Sequence, residues 1–218
     1  MESGQVFFKA IGFATITDKT TGEVLLDGKK NAVHLGNLSG AIVQALSAEN
    51  NGFIRYMAFG NGGTLISESG EIIYRQPNVT NIRNTSDSLY NETFKKEILQ
   101  EAGNEVVPVL TNTTYSDINI IITLDTNEPN LTQMSIDRAD SLDTTTILGD
   151  DYKTYSGASN GEAVFDEIAL YCGEPSILGP MVNNTSDAIL ITHLIFHPIQ
   201  KSANRVLEID YTLRIQLT

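Results

Sequence analysis

The sequence has a single cysteine, no tryptophan and few basic residues. Cys172 is the single cysteine among 218 residues, so no intramolecular disulfide can form, and we expect a fold that does not depend on an oxidising compartment. Lysine and arginine number 14 against 27 aspartates and glutamates, which gives a net charge of -13. A surface of that sign repels nucleic acid and anionic lipid, so we predict no direct nucleic-acid binding. It also favours solubility and suits docking on a basic partner.

Long apolar runs are missing as well. No stretch approaches the roughly 18 residues that a membrane span needs, so we predict no membrane partner. The start, Met1-Glu2-Ser3-Gly4, has neither a basic nor an apolar region, which predicts no signal peptide. The chain is nevertheless 41% hydrophobic and 19% charged, which is enough apolar material for one sizeable core and argues against wholesale disorder.

The clearest positive pattern lies in the last fourteen residues, 205–218. Six apolar residues alternate there with five polar ones: Leu207, Ile209, Tyr211, Leu213, Ile215 and Leu217 against Glu208, Asp210, Thr212, Arg214 and Gln216. Successive side chains of a strand point to opposite faces, so this alternation predicts a long, half-buried β-strand.

Similar patterns predict further strands along the chain. An N-terminal hairpin is expected over about 5–27, with a turn at 19–22 and an end at Asp27-Gly28. The other strands are predicted at 53–59, 71–74, 106–110, 118–124, 162–171 and 188–197, the last closed by Pro198. Within 162–171 we expect Ala163, Phe165, Glu167 and Ala169 on one face and the residues between them on the other.

Helical patterns are rare. Asn37 to Glu49 is predicted to be a helix capped by Asn37, and a second, weaker helical pattern runs from Leu89 to Glu101 after Ser88. Residues 127–160 are polar and are expected to be functional, partner-contacting or mobile. The fold class is therefore mainly β: one antiparallel, β-sandwich-like domain over 1–218 with an N-terminal hairpin and one or two packed helices.

One short motif matches a hydrolase pattern. Gly157-Ala158-Ser159-Asn160-Gly161 has the G-x-S-x-G spacing, whose chemistry needs a strand before the serine and a helix after it. Here a polar stretch precedes Ser159 and a predicted strand follows it. Asp187 and His193 stand in the order that a triad requires, but we favour a flexible loop of small residues over a nucleophile.

Two histidines are candidate metal ligands. His193 and His197 share a face of the predicted strand, but no glutamate follows His193, so the helical H-E-x-x-H zinc pattern is absent. No Cys, Asp or Glu is obviously paired with them. We favour histidines at an interface or with internal hydrogen bonds over a zinc site.

A partial calcium pattern follows the predicted strand 118–124. Asp125, Asn127, Glu128 and Asn130 supply oxygen ligands, but Pro129 interrupts the pattern, and the glycine and the closing glutamate are missing. A turn is the favoured interpretation, and a structural cation is the alternative.

A glycine-rich loop and the lone thiol complete the candidates. Gly60-Asn61-Gly62-Gly63-Thr64 is predicted to need positive φ angles, and it is no phosphate loop because neither Lys-Ser/Thr nor a helix follows. Cys172 is expected to be a buried, inert thiol. We therefore predict a non-enzyme, with no catalytic, cofactor-binding or metal-binding residues and no cofactor.

Three segments together suggest a family. They are Met57-Ala58-Phe59-Gly60-Asn61-Gly62-Gly63-Thr64, Phe165-Asp166-Glu167-Ile168-Ala169-Leu170-Tyr171, and Leu190 to Lys201 with its His197-Pro198-Ile199-Gln200-Lys201 turn before the final strand. This series resembles virion structural proteins of tailed bacteriophages and the anchoring domains of tail and collar fibres. The resemblance implies a β-sandwich-like module built into a virion that is assembled in the host cytoplasm, and it carries no catalytic residues across.

The resemblance also implies partners. We expect other virion structural proteins and further copies of this chain, in an adaptor or fibre-anchoring component of the tail, neck, collar or baseplate. The chain stops on its last strand without shaft repeats, which favours such a role over a receptor-binding fibre. A capsid decoration (cement) protein is one alternative. A carbohydrate-binding or hydrolytic β-sandwich is the second, although tryptophan and a matched acid pair are missing.

Overall fold

The computed structural model describes residues 8–98, 103–110, 112–129, 163–174 and 188–217. Within these ranges the chain forms eleven strands, one α-helix and a 3-10 turn at Asn50–Gly52. The elements are β1 Phe8–Asp18, β2 Val24–Val33, α1 Leu35–Leu46, β3 Ile54–Gly60, β4 Thr64–Ile66, β5 Ile72–Tyr74, β6 Glu92–Glu97, β7 Glu105–Val109, β8 Tyr115–Leu124, β9 Ala163–Cys172, β10 Ile189–Lys201 and β11 Leu207–Leu217.

Nine strands form one antiparallel sheet in the order β6-β3-β9-β10-β2-β1-β11-β8-β7, and β4 and β5 form a separate hairpin. The large sheet bends at β2. Residues 24–31 of β2 pair with β1, whereas Ala32 and Val33 pair with β10. The predicted mainly β, antiparallel fold class is confirmed, and the two halves of the curled sheet face each other as in a sandwich.

The core lies between these two halves. A small void there is lined by Ile16, Leu124 and Leu207 from one half and by Phe59, Phe165 and Phe196 from the other, among others. The tilted rings of Phe59 and Phe165 lie with centroids 5.2 Å apart. Each large apolar side chain buried in this layer contributes about 1.5–3 kcal/mol to folding.

The final strand is as the alternation predicts. It runs as β11 from Leu207 to Leu217 between β1 and β8, with its residues in register against both neighbours. Leu207, Ile209, Tyr211 and Leu213 are buried in the core. The fourteen-residue pattern thus marks a central strand.

Residues 75–91 cover the outer face of β3, β9 and β10. Leu89 and Val79 of this covering segment pack against Tyr56, Ala169 and Leu190 in a second apolar cluster. Both β9 and β10 are consequently buried on two faces, which explains why their sequences are apolar almost throughout.

Side chains protect the open edges of the sheet. Thr123 on β8 lies past the first residue of β7 and has no strand partner there. Its N–H donates to Asn104 Oδ1, and the carbonyl oxygen of Thr123 accepts from Lys96 Nζ at 2.7 Å. Lys96, on β6, also forms a salt bridge with Glu128 at 2.5 Å. Strand β7 is itself an edge strand and carries Pro108. Proline lacks an N–H group, so it is tolerated in an edge strand and discourages pairing with another chain.

The helix is confirmed, but its cap is not. The helix α1 begins at Leu35, and His34 rather than Asn37 caps it, because His34 Nδ1 accepts the Asn37 N–H at 3.1 Å. The Asn37 side chain instead donates to the carbonyl oxygens of Asn84 and Leu190 and accepts from the Asn84 N–H. It joins α1 to the covering segment and to β10.

The predicted helix from Leu89 to Glu101 is wrong. Residues 92–97 form strand β6, which pairs with β3. Phe94 and Ile98 suggest a helix because they are four residues apart, but a separation of four also returns to the same face of a strand. Both are buried in the core. Residues 99–101 lie outside the described ranges.

Two strands extend past their predicted ends. Strand β2 does not stop at Asp27-Gly28: Gly28 has φ +49 and marks an irregularity in the pairing with β1, after which the strand continues to Val33. Strand β10 does not close at Pro198 either. Its pairing with β9 is interrupted between Ile195 and Ile199 and then resumes to Lys201.

The predicted face alternation of β9 is wrong after Phe165. Ala163 and Phe165 share one face, which is the core face, but Ile168, Leu170 and Cys172 lie on it as well, whereas Ala169 belongs to the outer cluster. The alternation of side chains between the two faces shifts by one residue at Asp166-Glu167, opposite the irregularity in β10. This irregularity lets two consecutive acidic side chains contact the neighbouring loops.

Of the polar stretch 127–160, only residues 127–129 are described, and there they continue a turn after β8. The expected role of the remainder in partner contacts lies outside the described residues. Across the described ranges, no helix has both the length and the apolar character required to cross a membrane.

Candidate functional site

The most concentrated polar site of the described chain is built on the acid pair Asp166 and Glu167 of β9. Asp166 accepts the N–H groups of Gly63 and Thr64, both at 2.8 Å, as well as the Thr64 hydroxyl. Glu167 accepts the Gly62 N–H at 3.0 Å. The glycine-rich turn after β3 is therefore fixed to β9 by carboxylates.

Glu167 also binds the end of the covering segment and a histidine. Its oxygens accept the N–H of Tyr90 at 3.1 Å and of Asn91 at 2.9 Å. His193 Nε2 lies 3.0 Å from Glu167 Oε2, and both side chains have no exposed surface. The Glu167 carboxylate thus joins the turn after β3, the covering segment and β10.

The hydrogen bonds of His193 define its tautomer. Its Nδ1 accepts the N–H of Asn78 at 2.8 Å, so this nitrogen carries no proton. The proton lies on Nε2 and is donated to Glu167. Both ring nitrogens are therefore occupied, and the ring holds Asn78 of the covering segment against β9 and β10.

A second histidine repeats this arrangement at the N-terminus of α1. His34 is buried, its Nδ1 accepts the Asn37 N–H, and its Nε2 lies 2.7 Å from Asp87 Oδ2 and 3.2 Å from the Thr80 hydroxyl. Asp87 and Thr80 both belong to the covering segment. Two buried histidines thus attach this segment to the sheet at separate points.

The pKa values of the two acids shift in opposite directions: that of Asp166 is raised and that of Glu167 is lowered. Burial raises the pKa of Asp166, and the adjacent Glu167 carboxylate adds to this, while the hydrogen bonds from Thr64 and Gly63 oppose it. Burial acts in the same direction on Glu167, but the hydrogen bonds from His193, Asn91, Tyr90 and Gly62 outweigh it and lower the pKa. Glu167 is therefore held as a carboxylate.

This arrangement is suited to holding loops rather than to acid–base chemistry. A general base needs a free nitrogen or oxygen within hydrogen-bond distance of a substrate proton. The nitrogens of His193 are occupied, and the ring is buried beneath Tyr90, whose ring centroid lies 5.7 Å away. The chemical role that the geometry supports is the alignment of backbone N–H groups from two loops, the turn at 62–64 and the covering segment.

The residues of the hydrolase pattern are only partly placed. Ser159 and Asp187 lie outside the described residues, whereas His193 is committed to Glu167 and Asn78. His197 lies apart from His193 on the surface, where its Nδ1 is 3.2 Å from the Tyr74 hydroxyl. Within the described ranges, no group of three or more His, Cys, Asp or Glu side chains has the geometry to hold a metal ion.

The partial calcium pattern forms a turn, as favoured. Glu128 Oε2 accepts the Asp125 N–H at 3.0 Å and binds Lys96, while Asp125 accepts the Thr126 N–H. Asn130 lies outside the described residues. Cys172 is buried as predicted, and burial raises the pKa of its thiol to about 12, so the reactive thiolate is suppressed.

The glycine-rich turn has a different reason for its glycines than the one predicted. None of Gly60, Gly62 and Gly63 has a positive φ angle. A Cβ on Gly60 would lie 2.5 Å from Glu167 Oε1, and one on Gly62 would lie 2.7 Å from the Tyr90 Cβ. The glycines provide room for the Glu167 carboxylate and the covering segment.

Sequence reasoning missed the acid pair as a site. The available signal is the pair of adjacent acids inside a strand that is otherwise apolar, because a buried carboxylate requires hydrogen-bond donors nearby. Their donors are backbone N–H groups at residues 62–64 and 90–91, which side-chain patterns do not reveal. The fold brings these N–H groups next to Glu167, although 76 to 105 residues separate Asn91 and Gly62 from it in the sequence.

The hairpin of β4 and β5 is the most conspicuous surface feature near this site. Leu65, Ile66, Ile73 and Tyr74 are all exposed, and Ile66 retains 79% of its surface. The base of the hairpin is bound to β9 by Asp166, and the Arg75 N–H donates to the Gly63 carbonyl at 2.9 Å. An apolar hairpin is thus held at its base against β9 and β10 and keeps these side chains exposed.

No protein-family model, no curated protein and no solved structure matches this chain.

Proposed function

We propose that the protein is a non-enzymatic structural component of a tailed-bacteriophage virion, assembled in several copies on the tail, neck, collar or baseplate as an adaptor or fibre anchor. One observation carries this proposal: the three segments that resemble virion proteins meet in space. The turn at 60–64 is bonded to Asp166 and Glu167 of the second segment, and Glu167 is bonded to His193 of the third.

The chemistry of this meeting point supports a structural role. Its carboxylates and its buried imidazole bind backbone N–H groups of the glycine-rich turn and the covering segment. A cluster of this kind fixes loops in one arrangement, which an assembly subunit needs at its contact surfaces.

The surface supports docking on other proteins. A net charge of -13 favours contact with basic partners, and the β4–β5 hairpin presents exposed apolar side chains on a firmly held base. Surfaces of this kind mark protein contacts more often than small-molecule sites.

The proposal is tested by co-purification with particles. Virions banded in a density gradient are analysed by quantitative mass spectrometry, and the protein added to purified particles of an unrelated virus serves as the control for adhesion. We expect this chain in the virion band at a fixed stoichiometry to the tail proteins, retained after a high-salt wash. Its absence from the band, or equal recovery with the unrelated particles, contradicts the proposal.

A parallel assay tests the hydrolytic alternative. We expect the purified protein and the Ser159→Ala variant to show the same background rate on a short-chain ester. Robust turnover that Ser159→Ala abolishes would contradict a non-enzymatic role, because the rate would then depend on the hydroxyl of one side chain.

A further inference from the structure

The middle of the covering segment, residues 77–88, is a loop that polar contacts hold closed. The Tyr90 hydroxyl donates to the Gln76 carbonyl at 2.8 Å and closes the loop at its base. Of its aliphatic side chains, Val79 packs against the outer apolar cluster, whereas Ile82 keeps 79% of its surface exposed. A loop that buries so little apolar surface opens at a low free energy, so its polar contacts decide whether it stays on the sheet.

Two buried histidines make such contacts, but they use opposite ring nitrogens. His193 Nδ1 accepts the Asn78 N–H at 2.8 Å, so this bond needs a nitrogen without a proton. His34 uses Nδ1 for the cap of α1, so its proton lies on Nε2, which is 2.7 Å from Asp87 Oδ2 and 3.2 Å from the Thr80 hydroxyl. The loop is therefore bound to an acceptor at one histidine and to a donor at the other.

Protonation acts on these two attachments in opposite ways. A proton on His193 Nδ1 turns the acceptor into a donor that faces the Asn78 N–H, so this bond is lost. A proton on His34 leaves its Nε2–H in place and adds a positive charge beside the Asp87 carboxylate, which strengthens the contact with the loop at the expense of the helix cap. Of the two attachments, the one at His193 is therefore sensitive to acid.

The charged groups that face His193 act on it whether the loop is closed or open. Glu167 of β9 is bonded to His193 Nε2, and Asp166 beside it is bonded to the turn after β3. The covering segment contributes Arg75, whose guanidinium carbon lies 4.6 Å from the centre of the Tyr90 ring, and the end of β2 that pairs with β10 carries no charge. Both carboxylates belong to the same sheet as His193 and stay beside it, so the bond at Nδ1 is what distinguishes the closed loop from the open one.

We propose that residues 77–88 form a pH-controlled flap, which is released when His193 gains a proton at Nδ1. The open form binds one proton more than the closed form, so neutral pH favours the closed flap and acid favours the open one. Opening removes Val79 from the outer cluster and uncovers apolar side chains of β9 and β10, among them Ala169 and Leu190. The flap is a property of the isolated chain and does not depend on the virion role.

Amide hydrogen exchange measured by NMR tests the flap at about pH 7.5 and about pH 5.5, between which a histidine gains its proton. Rates are compared with those of an unstructured chain at the same pH, which gives a protection factor. We expect the protection of Asn78 and of Asn84, whose N–H donates to Asn37 Oδ1, to fall about tenfold. The N–H of Tyr211 in the central strand β11 should keep its protection, and the nitrogen shifts of the His193 ring should show Nδ1 gaining its proton over the same range.

Three asparagine variants identify the histidine responsible. His193→Asn keeps an oxygen acceptor for Asn78 but cannot gain a proton, so the protection of the loop should be the same at both pH values. His34→Asn removes the other attachment, so protection should be lower at both values and should still fall with acid. His197→Asn, at the nearest titratable residue of β10 itself, changes a surface side chain and should behave as the wild type. Thermal melts followed by circular dichroism establish that each variant is folded.

Three results would overturn the flap: equal protection of the wild-type loop at both pH values, a fall that persists in folded His193→Asn, or a fall that disappears in His34→Asn. If His193→Asn does not fold, the wild type alone decides, because a loss of protection without protonation of Nδ1 also contradicts the proposal. A fall confined to pH values below about 4 contradicts it as well, since it would report Glu167, which accepts the N–H groups of Tyr90 and Asn91.

Discussion

Glu167 is a charged side chain without exposed surface in the middle of an apolar strand. Its two oxygens receive four donors: Gly62 and Asn91 at Oε1, and Tyr90 and His193 at Oε2. Burial of an unpaired carboxylate is very unfavourable, so the donors decide whether this residue stabilises or destabilises the fold. The residue acts as the common anchor of the turn after β3, the covering segment and strand β10.

Replacing Glu167 with glutamine is expected to lower the free energy of unfolding by about 2–4 kcal/mol. The amide of glutamine presents an N–H group to two of the four donors and leaves them without an acceptor. Urea denaturation monitored by circular dichroism measures the change. Glu49→Gln, at an exposed carboxylate, should change the value by less than about 0.5 kcal/mol. Equal stabilities of the two variants would show that the anchor is dispensable.

The same carboxylate predicts a pH dependence. The pKa of Glu167 is lowered in the folded state. Burial raises the pKa of Asp18, but hydrogen bonds from Arg205 and Thr20 outweigh it and lower this pKa to about 2. A lowered pKa gives stability that is present above the unfolded value, near 4, and is lost as the pH falls through the folded value. Asp166 has a raised pKa and contributes in the opposite sense.

We therefore expect the free energy of unfolding to decrease as the pH falls from about 4.5 towards 2, and to decrease less in Glu167→Gln than in the wild type. Urea titrations at several pH values measure both slopes. Parallel curves for Glu167→Gln and the wild type would mean that Glu167 does not titrate differently in the two states.

At the scale of elements, what the sequence predicted depends on how each strand is buried. Strand β11 has one face in the core, so its alternation identifies it over nearly its whole length. Strands β9 and β10 are buried on both faces, so apolar runs locate them but conceal the change of phase at Asp166-Glu167. In β6, Lys96 lies between Phe94 and Ile98 on the same face and interrupts the apolar pattern.

The loops around the site were the least predictable elements. The covering segment 75–91 is polar in sequence, yet it carries Leu89 and Val79 into an apolar cluster and is attached by His34 and His193. These contacts join residues far apart in the chain and depend on backbone donors. His193 and His197 were expected to be internally bonded or at an interface; His193 is internally bonded, whereas the exposed His197 lies by the Tyr74 hydroxyl.

Two glycines are expected to respond oppositely to alanine. A Cβ at Gly60 would meet Glu167 Oε1 at 2.5 Å and the Asn91 carbonyl at 2.6 Å, so Gly60→Ala should cost about 1–3 kcal/mol of stability. At Gly40 in α1, the nearest atoms belong to the flexible side chain of Arg83, so Gly40→Ala should stabilise the helix by up to about 1 kcal/mol.

Thermal and urea unfolding of the two alanine variants measures both changes against the wild type. Equal effects at Gly60 and Gly40 would indicate that the turn can move away from Glu167, and that its glycines are not required for the close approach.

At the scale of the whole molecule, one sheet folded at β2 makes the core, and a covering segment is fastened to its outer face by two buried histidines. Bonds to Asp166 and Glu167 make the base of the β4–β5 hairpin part of the same rigid body. Internal polar groups of the described residues therefore hold loops, and the β4–β5 hairpin leaves apolar side chains exposed at the surface.

The proposed virion role is tested most directly by immunogold electron microscopy of purified particles with antibody against this protein. We predict gold at one fixed position on the tail, neck, collar or baseplate of most particles, and none on particles made without the protein. Label spread over the head would identify a capsid decoration protein instead. Particles without label, when the same antibody detects the protein in the unassembled lysate, would contradict a virion role.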